Sequence, residues 1–136
     1  MARKSTLFCA AKASDGPADT SSADPIDRSY FARFTMGNAA LEREVLELFA
    51  AQAPVYLGRL RAARIAKDWK DAAHTIKGSA SAIGAWRLAR MAEMAEKIDI
   101  GAEVARTEGY REEALGAVAE AIEEVCRHIA RLLAAP

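Results

Sequence analysis

The chain has 136 residues, 51% of them apolar, and its 19 basic and 19 acidic side chains cancel. That length favours a single domain with a real core, and zero net charge argues against steering to nucleic acid or an anionic membrane. Abundant alanine, with Val, Ile and Thr scattered singly, favours packed helices over sheets.

Residues 1–24 are small and polar, with Gly16, Pro17 and a Thr20-Ser21-Ser22 cluster. They read as a flexible leader before a domain over 25–136. Its apolar run, Leu7 to Ala11, is too short for a signal-peptide core or a membrane span. Cys9 and Cys126 lack metal-type spacing, and a disulfide between them is not expected, which fits a reducing compartment. A soluble, cytoplasmic protein is expected.

A first short helix is predicted after Asp24-Pro25, with Asp24 as cap, presenting Ile26, Tyr30, Phe31 and Phe34 inward until Gly37. Asn38 then caps a long helix reaching about Ile65. Its broad inner face carries Leu41, Val45, Leu48, Phe49, Gln52, Tyr56 and Leu60, and Pro54 is expected to kink it. A third helix is predicted over 68–84, with Asp68 as N-cap, Asp71 in its first turn and Gly84 as its stop. The next runs from about Ala85 to Ile100, packing Leu88, Met91, Ala92, Ala95 and Ile98. The last starts near Glu108 and repeats Leu115, Val118, Ile122, Val125, Ile129 and Leu132. No strand signal or internal repeat is present. The fold class is all-α: an antiparallel four-helix bundle with an additional short N-terminal helix.

The third helix carries the chemistry. At about 100° per residue, Trp69, Ala73, Ile76, Ala80 and Ile83 form one apolar stripe. His74 falls about 140° from its centre by the same step. Beside it on the outer face lie Lys67, Lys70, Lys77, Gly78 and Ser81. An imidazole held in solvent among ammonium groups, with no side chain at its i+4 neighbour, suits phosphoryl chemistry.

His74-Thr75-Ile76-Lys77-Gly78-Ser79-Ala80, followed by Gly84, resembles the signature of histidine-containing phosphotransfer (HPt) domains. The likeness extends upstream through Leu46-Glu47-Leu48-Phe49, Ala53-Pro54, Leu60 and Asp68, and downstream through Leu88 toward Glu96. One departure is Lys67, where the family often has Gly before the aspartate. The resemblance implies a multistep phosphorelay protein that shuttles a phosphoryl group between receiver-domain aspartates through phosphohistidine at His74. Its partners would be the receiver domains of hybrid histidine kinases and response regulators. Magnesium would come from the receiver, with no cofactor or metal bound here.

The residue chemistry agrees. A neutral imidazole nitrogen is a good nucleophile near neutral pH, and a loose phosphoryl transition state needs nearby cations. Lys77 at i+3 can reach the phosphoryl oxygens, with Lys70 at i−4 as a second donor. Asp71 at i−3 opposes them unless its carboxylate is occupied. Gly78 inside a helix costs about 1 kcal/mol relative to Ala, and open access to the imidazole is the compensating gain. Ser79, Ser81 and Lys67 are further candidate contacts to phosphate or partner. His128, without a Lys-Gly companion, is assigned no role.

Other classes fit less well. A histidine kinase would need an ATP-binding domain with glycine-rich loops, so no autokinase activity is expected. A di-iron bundle needs Glu-x-x-His pairs, and neither histidine has Glu three residues before it. Nucleic-acid binding through the basic 59–70 segment lacks a reading helix. The alternative that stays open is a helical adaptor that binds receivers without transferring phosphate. A monomer is expected.

Overall fold

Asp27, rather than Asp24, starts the first helix. Its carboxylate does two things: Oδ1 accepts from the Tyr30 backbone N–H at 3.1 Å, and Oδ2 accepts from Trp86 Nε1 at 3.0 Å. The computed structural model describes residues 24–101 and 104–134, with side chains from 109 in the last helix. The expected leader over 1–24 and Cys9 thus lie outside the described residues, except for Asp24.

Five helices follow in order: α1 (Arg28–Thr35), α2 (Ala39–Ala62), α3 (Ala66–Ala82), α4 (Trp86–Glu96) and α5 (Val104–Ala134). No strand occurs among the described residues. The four longer helices make the bundle, and α1 packs across α2 as the short extra element. Met36 and Gly37 both adopt left-handed conformations to end α1. Asn38 caps α2 as expected, accepting from the Leu41 N–H at 3.0 Å. The helix then runs unbroken through Pro54.

The α2–α3 junction falls earlier than the sequence suggests. α2 stops at Ala62, and α3 starts at Ala66 with Ile65 as its N-cap, so Asp68 lies inside the first turn and is not the cap. There its charge still favours the positive helix end. Arg111 on α5 fixes the junction from outside. Its guanidinium donates to the Arg61 and Ala63 carbonyls at 3.0 and 3.1 Å and lies over the Trp69 ring, 5.2 Å from the centroid.

α3 closes in a Schellman arrangement: the Ala85 N–H donates to Ala80 O at 2.8 Å and the Gly84 N–H to Ser81 O at 3.1 Å. Gly84 has φ +76°, and its carbonyl accepts from the Asp27 N–H at 2.9 Å. A Cβ there would sit 2.9 Å from Asp27 O, so only glycine seats the N-terminal segment on this turn. α4 ends at Glu96 instead of Ile100: its last turn tightens to i→i−3 bonds, Lys97 N–H to Met94 O at 3.3 Å and Ile98 N–H to Ala95 O at 3.1 Å, and beyond it Asp99 Oδ1 accepts from the Gly101 N–H at 3.0 Å. α5 begins at Val104, one turn before the expected Glu108.

The α3 stripe of Trp69, Ala73, Ile76, Ala80 and Ile83 is wholly buried, as are Leu88, Met91, Ala92 and Ala95 of α4. Alanines let α3 and α4 approach closely, and this pair shares the most extensive contact in the bundle. Trp69 Nε1 crosses it to donate to Ala95 O at 2.7 Å. From α5, Leu115, Val118, Ile122, Val125 and Ile129 close the core.

Two expectations about the core fail. Phe34 is exposed, since the short α1 turns only Phe31 and Thr35 inward. On α2 the core takes Leu46, Phe49, Ala53 and Leu60, whereas Leu41 and Leu48 face outward. The apolar arc of α2 is wider than the space beneath it, and its flank stays uncovered.

Candidate functional site

His74 lies at the middle of α3, opposite the buried stripe, and its side chain is 69% exposed. The close α3–α4 contact brings Glu96, the last residue of α4, against it. His74 Nδ1 lies 3.1 Å from Glu96 Oε2, and the Glu96 side chain is only 23% exposed. An ionised carboxylate can only accept a hydrogen bond. In that pairing Nδ1 carries the proton and Nε2 directs its lone pair at solvent.

The cations around the ring divide into two kinds. Lys67 Nζ is bound to Asp71 Oδ2 at 2.7 Å, and that carboxylate raises the Lys67 pKa. The pair occupies Asp71, removing the nearest opposing charge, and it also ties up Lys67. Lys70 and Lys77 have no ion-pair partner among the described residues. Both flank His74 on one side, by their i−4 and i+3 spacing. Thr75 donates its hydroxyl to Asp71 O at 3.0 Å and lines the opposite flank.

A Cβ placed on Gly78 would meet nothing within 4 Å. Packing within the molecule therefore gives no reason for a glycine in this exposed helix interior. Ser81 shares the His74 face by its spacing. Ser79 does not: it lines the groove between α2 and α3, about 140° around the helix by the 100° step.

The family model of the Hpt domain matches residues 44–135, about two-thirds of the chain. The chain belongs to the Hpt domain family. Membership supports a histidine phosphotransfer role in phosphorelays and interaction with receiver domains. No curated protein and no solved structure matches the chain. The matched region of this Hpt domain spans most of α2 and all of α3 and α4, and so includes His74, Lys77, Gly78 and Glu96.

Glu96 is the functional candidate that sequence spacing misses. It lies 22 residues from His74, and only the crossing of α3 and α4 brings the two together. The Lys67–Asp71 pair, in contrast, is written in its i,i+4 spacing. His128 is buried, and its Nε2 has no hydrogen-bond partner among the described residues. No group of three or more His, Cys, Asp or Glu residues among the described residues could hold a metal ion. No described helix is long and apolar enough to cross a membrane.

Proposed function

We propose that this Hpt domain is a cytoplasmic phosphotransfer protein. It takes a phosphoryl group from one receiver aspartate onto His74 Nε2 and delivers it to another. The observation that carries this is the His74 ring itself: open to solvent, held at Nδ1 by Glu96, and left uncovered by Gly78.

In the forward step the Nε2 lone pair attacks the phosphorus of the aspartyl phosphate. An N–P bond forms, the acyl P–O bond breaks, and the receiver carboxylate leaves with the bonding pair. The product is a phosphoimidazolium with its proton still on Nδ1, and the Glu96 carboxylate faces the new positive charge. The reverse step needs no proton to be fetched or lost. Lys77, with Lys70 behind it, offers positive charge to the equatorial oxygens of the loose transition state. Magnesium belongs to the receiver's acidic pocket. The interface should be small and brief, as in other transient signalling encounters, below about 1,200 Å² in total.

The test is to incubate the protein with a phosphorylated receiver and follow acid-labile, base-stable phosphate. Wild type acquires the label, His74→Gln does not, and His128→Gln does. A protein that binds the receiver but never acquires acid-labile phosphate would instead be the non-transferring adaptor.

A further inference from the structure

α2 carries a second arc that its own core covers only in part: Val45 packs against the core, while Leu41, Leu48 and Val55 stay exposed. From Leu41 through Val45, Leu48, Gln52 and Val55 to Arg59, positions recur at alternating steps of four and three. This is the spacing of a helix-pairing seam, with Leu41, Leu48 and Val55 at one set of places and Val45, Gln52 and Arg59 at the other. Yet the seam faces outward: Leu48 is 60% exposed and Val55 47%. It opens into a groove of about 180 Å³ between α2 and α3, lined in part by Val45, Leu48, Gln52 and Ile83.

Charge along α2 says what fits there. Glu42, Glu44 and Glu47 lie toward its N-terminus, whereas Arg59 and Arg61 lie in its last turns. The exception, Arg43, is engaged by Glu47 at 3.5 Å and by the Leu133 carbonyl at 3.2 Å. A second α2 laid parallel would set acid against acid and base against base. Laid antiparallel, the acidic half meets the basic half at both ends. Glu44 and Arg59 have no ion-pair partner among the described residues; the Arg59 guanidinium lies over the Tyr56 ring, 5.7 Å from its centroid, and can still meet a carboxylate from outside. The two-fold axis then passes near Gln52, whose amide donates and accepts and can pair with its own copy.

We infer that α2 is a self-association surface, where two copies of this chain pair antiparallel in a closed two-fold dimer. On this inference the expected monomer is one side of a reversible equilibrium. One helix of roughly 36 Å provides less contact than a stable dimer's standard ~1,600 Å², so dissociation falls in the micromolar-to-millimolar range. The α2–α3 cleft continues past Tyr56 to Asp71 and Thr75, beside His74. A copy seated there competes with a docking receiver; this corollary alone rests on the phosphotransfer reading.

Sedimentation of the full chain from micromolar to millimolar, at low and high salt, tests the pairing without any phosphate. The expected result is a monomer–dimer equilibrium that weakens in high salt. Leu48→Asp, at an exposed position, keeps the helical circular dichroism but weakens the dimer by at least about tenfold. Glu44→Lys and Arg59→Glu each weaken it, and the two together restore it. Gln52→Cys, in a Cys9→Ser/Cys126→Ser background, cross-links to its own copy on oxidation. A monomer throughout, or a dimer indifferent to Leu48→Asp, overturns the inference. So does a seam protected from hydrogen exchange only when a receiver is added. None of these failures touches the role of His74.

Discussion

Glu96 and His128 show how the same chemistry depends on surroundings. Glu96 accepts the hydrogen bond from Nδ1–H of an exposed ring and so fixes which nitrogen is free. Replacing it with alanine should leave the fold intact, mix the two imidazole tautomers in ¹⁵N NMR, and slow phosphorylation by about tenfold, the scale of a lost charge-assisted hydrogen bond. An unchanged tautomer would remove Glu96 from the mechanism. His128 is the opposite case. Burial lowers its pKa from the ordinary 6.5, with Arg131 and Arg28 adding to the effect and Asp24 and Glu124 opposing it. The unfolded chain therefore binds the proton more readily than the native one. The His128 contribution to stability is constant above pH 6.5, falls as pH drops below that value, and levels off beneath the lowered native pKa. Denaturant titrations across this window should lose part of that slope in His128→Leu. An unchanged slope would assign the acid sensitivity elsewhere.

At the scale of the helix, α3 separates stability from access. Gly78→Ala should stabilise the protein by about 1 kcal/mol, because alanine is the better helix former and its methyl group meets nothing. The same methyl group should slow phosphotransfer by about tenfold, since small displacements at a reacting centre are costly. A variant both more stable and equally fast would show that the glycine does not serve access. Gly84→Ala should act the other way. Its φ of +76° and the Asp27 carbonyl beneath it cost about 1–3 kcal/mol, read as a lower melting temperature. α3 was also the most legible element, because its stripe has one width and one partner surface. α2 was not: periodicity marks an apolar arc but does not say whether the molecule's own core fills it. Leu46, Phe49, Ala53 and Leu60 go inward while Leu41, Leu48 and Val55 stay outside. The helix ends were missed for a related reason. Asp24 and Asp27 are both acceptable caps by residue type, and the bond from Trp86, 59 residues away, selects Asp27; α3 takes Ile65, which has no side-chain cap bond, so Asp68 misled by its type.

Across the whole molecule, long-range polar contacts hold the bundle in the register the site needs. Trp69 joins α3 to α4 through Ala95 O, Arg111 joins α5 to the α2–α3 junction, and Asp27 joins the N-terminal segment to the α3–α4 turn. The first of these spans the α3–α4 crossing that places Glu96 beside His74. The histidine face could be read in the sequence because it lies on a single helix. Its carboxylate partner could not, because that contact is a product of packing. The most direct measurement is localisation of phosphorus in the phosphorylated full chain, by mass spectrometry and by ³¹P and ¹⁵N NMR of the modified ring. Phosphorus on His74 Nε2, with the proton retained on Nδ1, is the predicted result. Phosphorus on Nδ1, on another residue, or on none would contradict it.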